Sequence, residues 1–160
     1  MIFEGMTGDS RVWQFAANRA LSEEEEIQLR GELQLFIASW QAHGKDLTAA
    51  ADVFHAGVVL VAIDESAELP SGCSIDKVFR LLQQWGAEKN VDFFNRLLVT
   101  VPFCNACKVY DQGQASAAMA LGDLKAEHLV VDAMLQNLAK IRNNWYIPFS
   151  QSWMGKKIIL

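Results

Sequence analysis

The sequence predicts an α+β domain. Its sheet is mainly antiparallel with helices on one face, ferredoxin-like in the first part and followed by a C-terminal extension. Three observations lead there. Apolar runs of strand length alternate with two stripes of helical period. Their order through residue 110 is β-α-β-β-α-β, the order of a ferredoxin-like unit. The 160 residues contain no internal repeat, low-complexity segment or linker, so 1–160 reads as a single domain. A chain of that length buries about 68–70% of its unfolded surface, enough for a real core.

Each element has its own signal. Arg11–Asn18, RVWQFAAN, carries aromatic and β-branched residues and reads as the first strand. Leu29, Leu33, Phe36, Ile37 and Trp40 then make one apolar helical stripe. Ser22 and Glu25 fit a capping box, and Gly44 fits the stop. The acidic run Glu23–Glu26 has the pattern of an acidic patch or metal site. The better reading is a first helical turn, where carboxylates interact well with the dipole.

Leu47–Phe54 and Gly57–Ile63 read as a hairpin joined through His55-Ala56. The second strand is apolar almost throughout, as expected for a central strand. The loop DESAELPSGC follows, and Ile75, Val78, Phe79, Leu82 and Trp85 form a second helical stripe ending near Gly86. Arg96–Val101 is strand-like, Pro102 with FCNAC reads as a turn, and KVY as a short return strand. Beyond it, Gln114–Leu121 reads as helix, and His128–Met134 as a strand or a continuing helix. Leu138, Ile141 and Trp145 point to a short helix stopped by Pro148, with a tail that packs on the body or on a partner. Trp13, Trp40 and Trp85 fall on core faces; Trp145 and Trp153 suit packing, a pocket wall or a dimer seam.

Charge and composition exclude several functions. The net charge is −5 and the only adjacent basic pair is Lys156-Lys157, so no nucleic-acid partner is expected. The longest strongly apolar run, Ala56–Ile63, is far shorter than the roughly 20 residues of a membrane span. MIFEGMTGDSR lacks the basic and apolar regions of a secretory signal, and three cysteines make no disulfide framework, so a cytoplasmic location is expected. No dinucleotide fingerprint, metalloprotease helix or serine-hydrolase elbow is present, and no cofactor is expected.

The chemistry concentrates in the Asp64–Lys77 loop, which contains PSGCSIDK. Gly72 permits a tight turn, Ser74 suits an N-cap, and Asp76 would sit in the first turn. Those facts describe a well-made helix start. The same geometry offers free N–H groups to an anion and favours a thiolate at Cys73. Asp64, Ser71, Gly72, Cys73, Ser74 and Asp76 are therefore the candidate ligand-binding residues, with Cys73 the candidate catalytic nucleophile. A nucleophilic cysteine needs a base, and only His43, His55 and His128 are on offer. Cys104-Asn105-Ala106-Cys107 has the spacing of half a zinc site or a redox pair. Without a second such pair it reads as a hairpin turn, and no metal is expected.

Several stretches together, SRVWQFAANRALS, VLVAIDES, SGCSIDK, FFNRL and WYIPFSQSW, resemble a small uncharacterised bacterial family. The resemblance runs from Ser10 to Trp153, and SGCSIDK is its most specific part. Members carry the label "ABC transporter ATPase". The resemblance implies no established activity and no agreed catalytic residues. The label requires a phosphate loop, G-x-x-x-x-G-K-[ST], which is absent, so no nucleoside triphosphatase activity is expected. The segment FCNACKVYDQGQASAAMALGD departs from the family pattern. The expected function is binding of a small or anionic ligand at the Asp64–Lys77 loop. The alternatives are a thiol-dependent enzyme using Cys73, and a structural homodimer joined through its sheet or aromatic tail.

Overall fold

The computed structural model describes residues 1–159. The first strand, β1 (Arg11–Ala16), leads to α1 (Glu23–Ala38) and a two-residue-per-strand hairpin, β2 (Gln41–Ala42) and β3 (Lys45–Asp46). Then come β4 (Ala49–Phe54), β5 (Val58–Ile63) and α2 (Gly72–Lys89). The rest is β6 (Val99–Phe103), β7 (Ala106–Tyr110), α3 (Gln112–Leu121), β8 (Leu129–Val131), α4 (Leu138–Asn144), β9 (Tyr146–Pro148) and α5 (Trp153–Ile159). This is an α+β fold of small antiparallel sheets. Among the described residues no helix is long and apolar enough to cross a membrane.

β5 is the centre of a three-stranded antiparallel sheet, between β1 and β4. All six of its residues are buried. Val59, Val61 and Ile63 point to one core, with Leu29 and Leu33 of α1 and Val78, Leu82 and Trp85 of α2. Val58, Leu60 and Ala62 point to a second core, with Leu138, Ile141 and Trp145. A strand covered on both faces has no polar side to show, which explains its continuous apolar sequence.

The two long helices are well specified. Ser22 and Glu25 form the expected capping box. The Glu25 carboxylate also takes two bonds from the Arg19 guanidinium, at 2.9 and 2.8 Å. Those bonds, followed by the Ser22 backbone N–H, hold Glu25 down to about 2. Arg19 further donates to the Lys89 carbonyl (2.8 Å), so one side chain joins the start of α1 to the end of α2. α1 also guards the open edge of β4. Arg30 Nε donates to Asp52 (2.6 Å), and Gln34 donates to the Ala51 carbonyl (2.9 Å).

The structure departs from the expected order in three ways. First, the ferredoxin-like arrangement is not formed: β6 pairs with β7, and neither joins the sheet of β1. Two Asx turns bend the chain after α2. Asp92 accepts from the Phe94 N–H (2.8 Å) and Asn95 from the Leu97 N–H (2.9 Å). The free edge of β1 is taken by residues 132–137 instead. Val12 N–H bonds the Gln136 carbonyl (2.9 Å), and the Gln14 amide reaches Asp132 and Leu135 carbonyls at 3.1 and 2.8 Å. Second, the helices do not keep to one face, because α4 covers the face opposite α1 and α2. Third, several boundaries move. Gly44 (φ 75°) lies in the β2–β3 turn, not at the end of α1. α2 runs past Gly86 to a left-handed cap at Asn90. Pro102 is a strand residue opposite Cys107.

A third core gathers the C-terminal half: Val99, Ala115, Ala118, Leu124, Val130, Phe149 and Met154. The tail thus packs on the body, with Phe149 and Met154 fully buried. Gly155 makes this possible, since a β-carbon there would collide with the Phe149 carbonyl. Gly155→Ala should cost about 2 kcal/mol or more, an overpacking loss. Gly31 is exposed mid-helix with open space around it. Gly31→Ala should gain about 0.5–1 kcal/mol. Urea denaturation of the two variants checks the opposite signs.

Candidate functional site

The loop that the sequence singles out is held by its own side chains. Ser71, not Ser74, is the N-cap of α2. Ser74 N–H donates to Ser71 Oγ (3.1 Å) while Ser71 N–H donates to Ser74 Oγ (2.7 Å), a capping box with serine in place of glutamate. Ser74 is buried, and its carbonyl accepts the Trp40 indole N–H at 2.9 Å. Gly72 and Cys73 occupy the first two helical positions, both exposed. Among the described residues the Cys73 thiol has no hydrogen-bond partner, histidine included. Asp76 is exposed and lies beyond the first turn. Asp64 turns inward on its own loop, accepting from the Ser66 hydroxyl (2.6 Å) and N–H (3.0 Å). Those bonds hold its carboxyl below the usual carboxylate range. Glu65 faces Arg11 at 3.7 Å and Glu68 faces Lys45 at 3.9 Å.

The C-x-x-C spans a hairpin turn. Cys104 sits exposed in the turn, at φ 50°, and Cys107 is buried in β7. Burial, with Glu26 nearby, pushes the Cys107 thiol up to about 11. A zinc ligand must be a thiolate, which this environment opposes. Among the described residues, no three His, Cys, Asp or Glu side chains are grouped to hold a metal ion.

A second constellation lies on the opposite face of the sheet. The β4–β5 turn places His55 and Ala56 at φ 53° and 56°, followed by Gly57. Two left-handed residues match the twist of a tight hairpin, but neither is the Gly or Asn that adopts this conformation readily. The turn holds His55 against β9, where its Nε2 shares a hydrogen bond with the Tyr146 hydroxyl. The imidazole packs 5.3 Å from the Trp145 ring and 5.5 Å from the Tyr146 ring, centroid to centroid. Trp145 is itself fixed, because its indole N–H donates to Gln14 Oε1 (3.1 Å). Burial lowers the His55 pKa and raises that of Tyr146, so both are neutral at pH 7.

Beside this pair is a depression of about 390 Å³ lined by Ile2, Leu129, Ile141, Arg142, Trp145 and Tyr146, together with the exposed Asn143 and Asn144. Arg142 spans it. Its Nε donates to the Ile2 carbonyl (2.8 Å), Nη1 to Met6 (3.1 Å) and Nη2 to Phe3. The Phe3 ring stands edge-on to Phe54, so residues 2–6 lie as a strap over this end of the sheet. Another depression, of about 370 Å³ between α1 and α2, is lined by Glu32, Lys77, Arg80, Trp85 and Glu88 among others.

Sequence reasoning placed His55 in a hairpin joint and did not single out Tyr146 or Arg142. Trp145 was expected in packing, a pocket wall or a seam, and it both packs and lines the groove. The available signals were a histidine in a short turn and the aromatic pair Trp145-Tyr146. Comparisons with protein-family models, with curated proteins and with solved structures find no match to this chain.

The lowered pKa of His55 makes a signed prediction. The folded state favours the neutral ring, so this stability is complete above the ordinary value of 6.5 and is lost as pH falls through the folded pKa. His55→Asn keeps a residue that tolerates φ > 0 but does not titrate there. Wild type should lose stability relative to His55→Asn as pH is lowered from 7.5 to 5, read by urea denaturation at each pH.

Proposed function

We propose that this protein binds a small molecule in the groove between α4, β8–β9 and the N-terminal strap. The observation that carries this reading is the His55–Tyr146 pair standing beside a depression of about 390 Å³. Binding pockets combine an apolar lining with a few convergent polar groups. Here Ile2, Leu129 and Ile141 supply the lining, and Tyr146, whose hydroxyl is held by His55, stands in the same wall. Titratable pairs in apolar surroundings mark functional sites more often than chance. The reading is of binding and not of turnover. Among the described residues no carboxylate contacts either ring to complete an acid–base relay. Trp145 and Tyr146 belong to WYIPFSQSW, one of the stretches on which the family resemblance rests.

A fragment screen followed by amide NMR tests it. Shifts should cluster at Leu129, Asn143, Asn144 and Tyr146, and Tyr146→Phe should weaken the hits about 3- to 10-fold, the worth of one hydrogen bond. Shifts confined to Ser71–Asp76 would instead return the site to the Asp64–Lys77 loop.

A second reading, thiol chemistry at Cys73, has one observation in its favour: the thiol is exposed at the second residue of an 18-residue helix. Cys104, also exposed, is an internal control. With groove binding as the function, alkylation should proceed at similar rates at Cys73 and Cys104 and far more slowly at buried Cys107. Cys73 outpacing Cys104 by about tenfold at pH 7 would move the function to Cys73.

A further inference from the structure

Arg142 carries a charge that the groove does not balance. A guanidinium has five N–H donors in a planar fork. Three of those on Arg142 go to the carbonyls of Ile2, Phe3 and Met6, which are neutral. Among the described residues no carboxylate lies within ion-pair distance of it. Two donors remain, on a half-buried side chain that lines the depression. No acidic residue lines that wall, whereas the exposed, uncharged Asn143 and Asn144 do. Arg19 shows the contrast within the same chain, its fork closed by Glu25 at 2.9 and 2.8 Å.

We infer that the ligand of this groove carries an oxyanion head, carboxylate or phosphate, on an apolar body. The inference rests on the groove reading above. The head meets the two free donors of Arg142, with Asn143, Asn144 and the Tyr146 hydroxyl beside it. The body lies against Ile2, Leu129 and Ile141. Because three carbonyls already fix the guanidinium, the head finds its partner oriented, which lowers the ordering cost of binding. Oxyanions and guanidinium groups form short, charge-assisted and often paired hydrogen bonds. The strap stays latched throughout, since its three bonds are not the ones the ligand uses.

The test is a titration of the full chain with benzoate, phenyl phosphate and benzamide, the last an uncharged match for benzoate in shape. The readouts are the Arg142 Nε–Hε resonance and the side-chain amides of Asn143 and Asn144. One of the two anions should bind saturably in the millimolar range, about tenfold more tightly than benzamide. The stronger of the two anions identifies the head group. Arg142→Lys keeps the charge but loses the fork, and should lower the ratio of benzoate to benzamide affinity from about tenfold toward one. If that variant unfolds, the wild-type comparison of benzoate with benzamide still decides. Equal binding of all three probes overturns the oxyanion inference and leaves the groove reading standing. Shifts at Gly72 and Cys73, with none in the groove, overturn both.

Discussion

Two of the three cores described are built on a strand that cannot face water. β5, VVLVAI, is buried at every position. Each fully buried Val, Leu or Ile is worth about 1.5–3 kcal/mol relative to exposure, so leaving one face of β5 bare would forfeit several such terms. Two helices cover one face. The other face must be covered from farther along the sequence, and α4 does it with Leu138, Ile141 and Trp145. The C-terminal half is therefore not an appendage. It supplies the second layer, and it closes the free edge of β1 through Gln136 and the Gln14 amide. A ferredoxin-like unit would have put β6 at that edge, where the 132–137 segment stands instead.

The same requirement creates the candidate site. A buried central strand reached through a three-residue turn, His55 to Gly57, puts that turn at the rim of the second core. His55 and Ala56 accept left-handed backbone there, at a cost of order 1 kcal/mol or more each. The His55 ring then meets Tyr146, the first residue of β9, and both pack on Trp145, the cap of α4. The contacts that seat the C-terminal layer on the sheet are thus the contacts that orient the polar pair. The Arg142 strap extends this arrangement outward, since Ile2 and Phe3 are held against the same rim by one guanidinium.

What the sequence made legible follows from range. Local signals were readable: the aromatic and β-branched residues of RVWQFA, the stripe from Leu29 to Ile37 (Trp40 falls just past the Ser39 cap), the Ser22–Glu25 box, the Ala-rich α3. PSGCSIDK was readable as a helix start, though S-x-x-S left two serines eligible for the cap, and the inner one proved to be the buried N3 partner. Strand pairing was not readable, because β1 finds β5 and the 132–137 segment through contacts distant in sequence. The Asx turns at Asp92 and Asn95 were visible as residues, but not as the bend that removes β6 from the sheet. The groove was least readable of all. His55 and Tyr146 are 91 positions apart, and each alone reads as ordinary packing. A thiol beside a glycine draws attention locally. A dyad assembled across the fold leaves no local trace.

Two guanidinium groups do comparable structural tasks here, and their difference separates architecture from recognition. Arg19 spends its fork on a carboxylate and ties two helix ends together; its charge is balanced inside the protein. Arg142 ties down the strap using carbonyls alone, and its charge is left for solvent or a ligand. Carbonyls suffice to hold a strap, so an arginine in that place has recognition capacity to spare. The chain as a whole is acidic, at −5, and repels an anion at long range. At physiological salt that repulsion decays over about 8 Å, whereas a charge-assisted hydrogen bond acts at contact. On the proposed reading, an oxyanion is slowed on approach and held on arrival, its affinity set by the donors of Arg142 and its neighbours and not by the field of the protein.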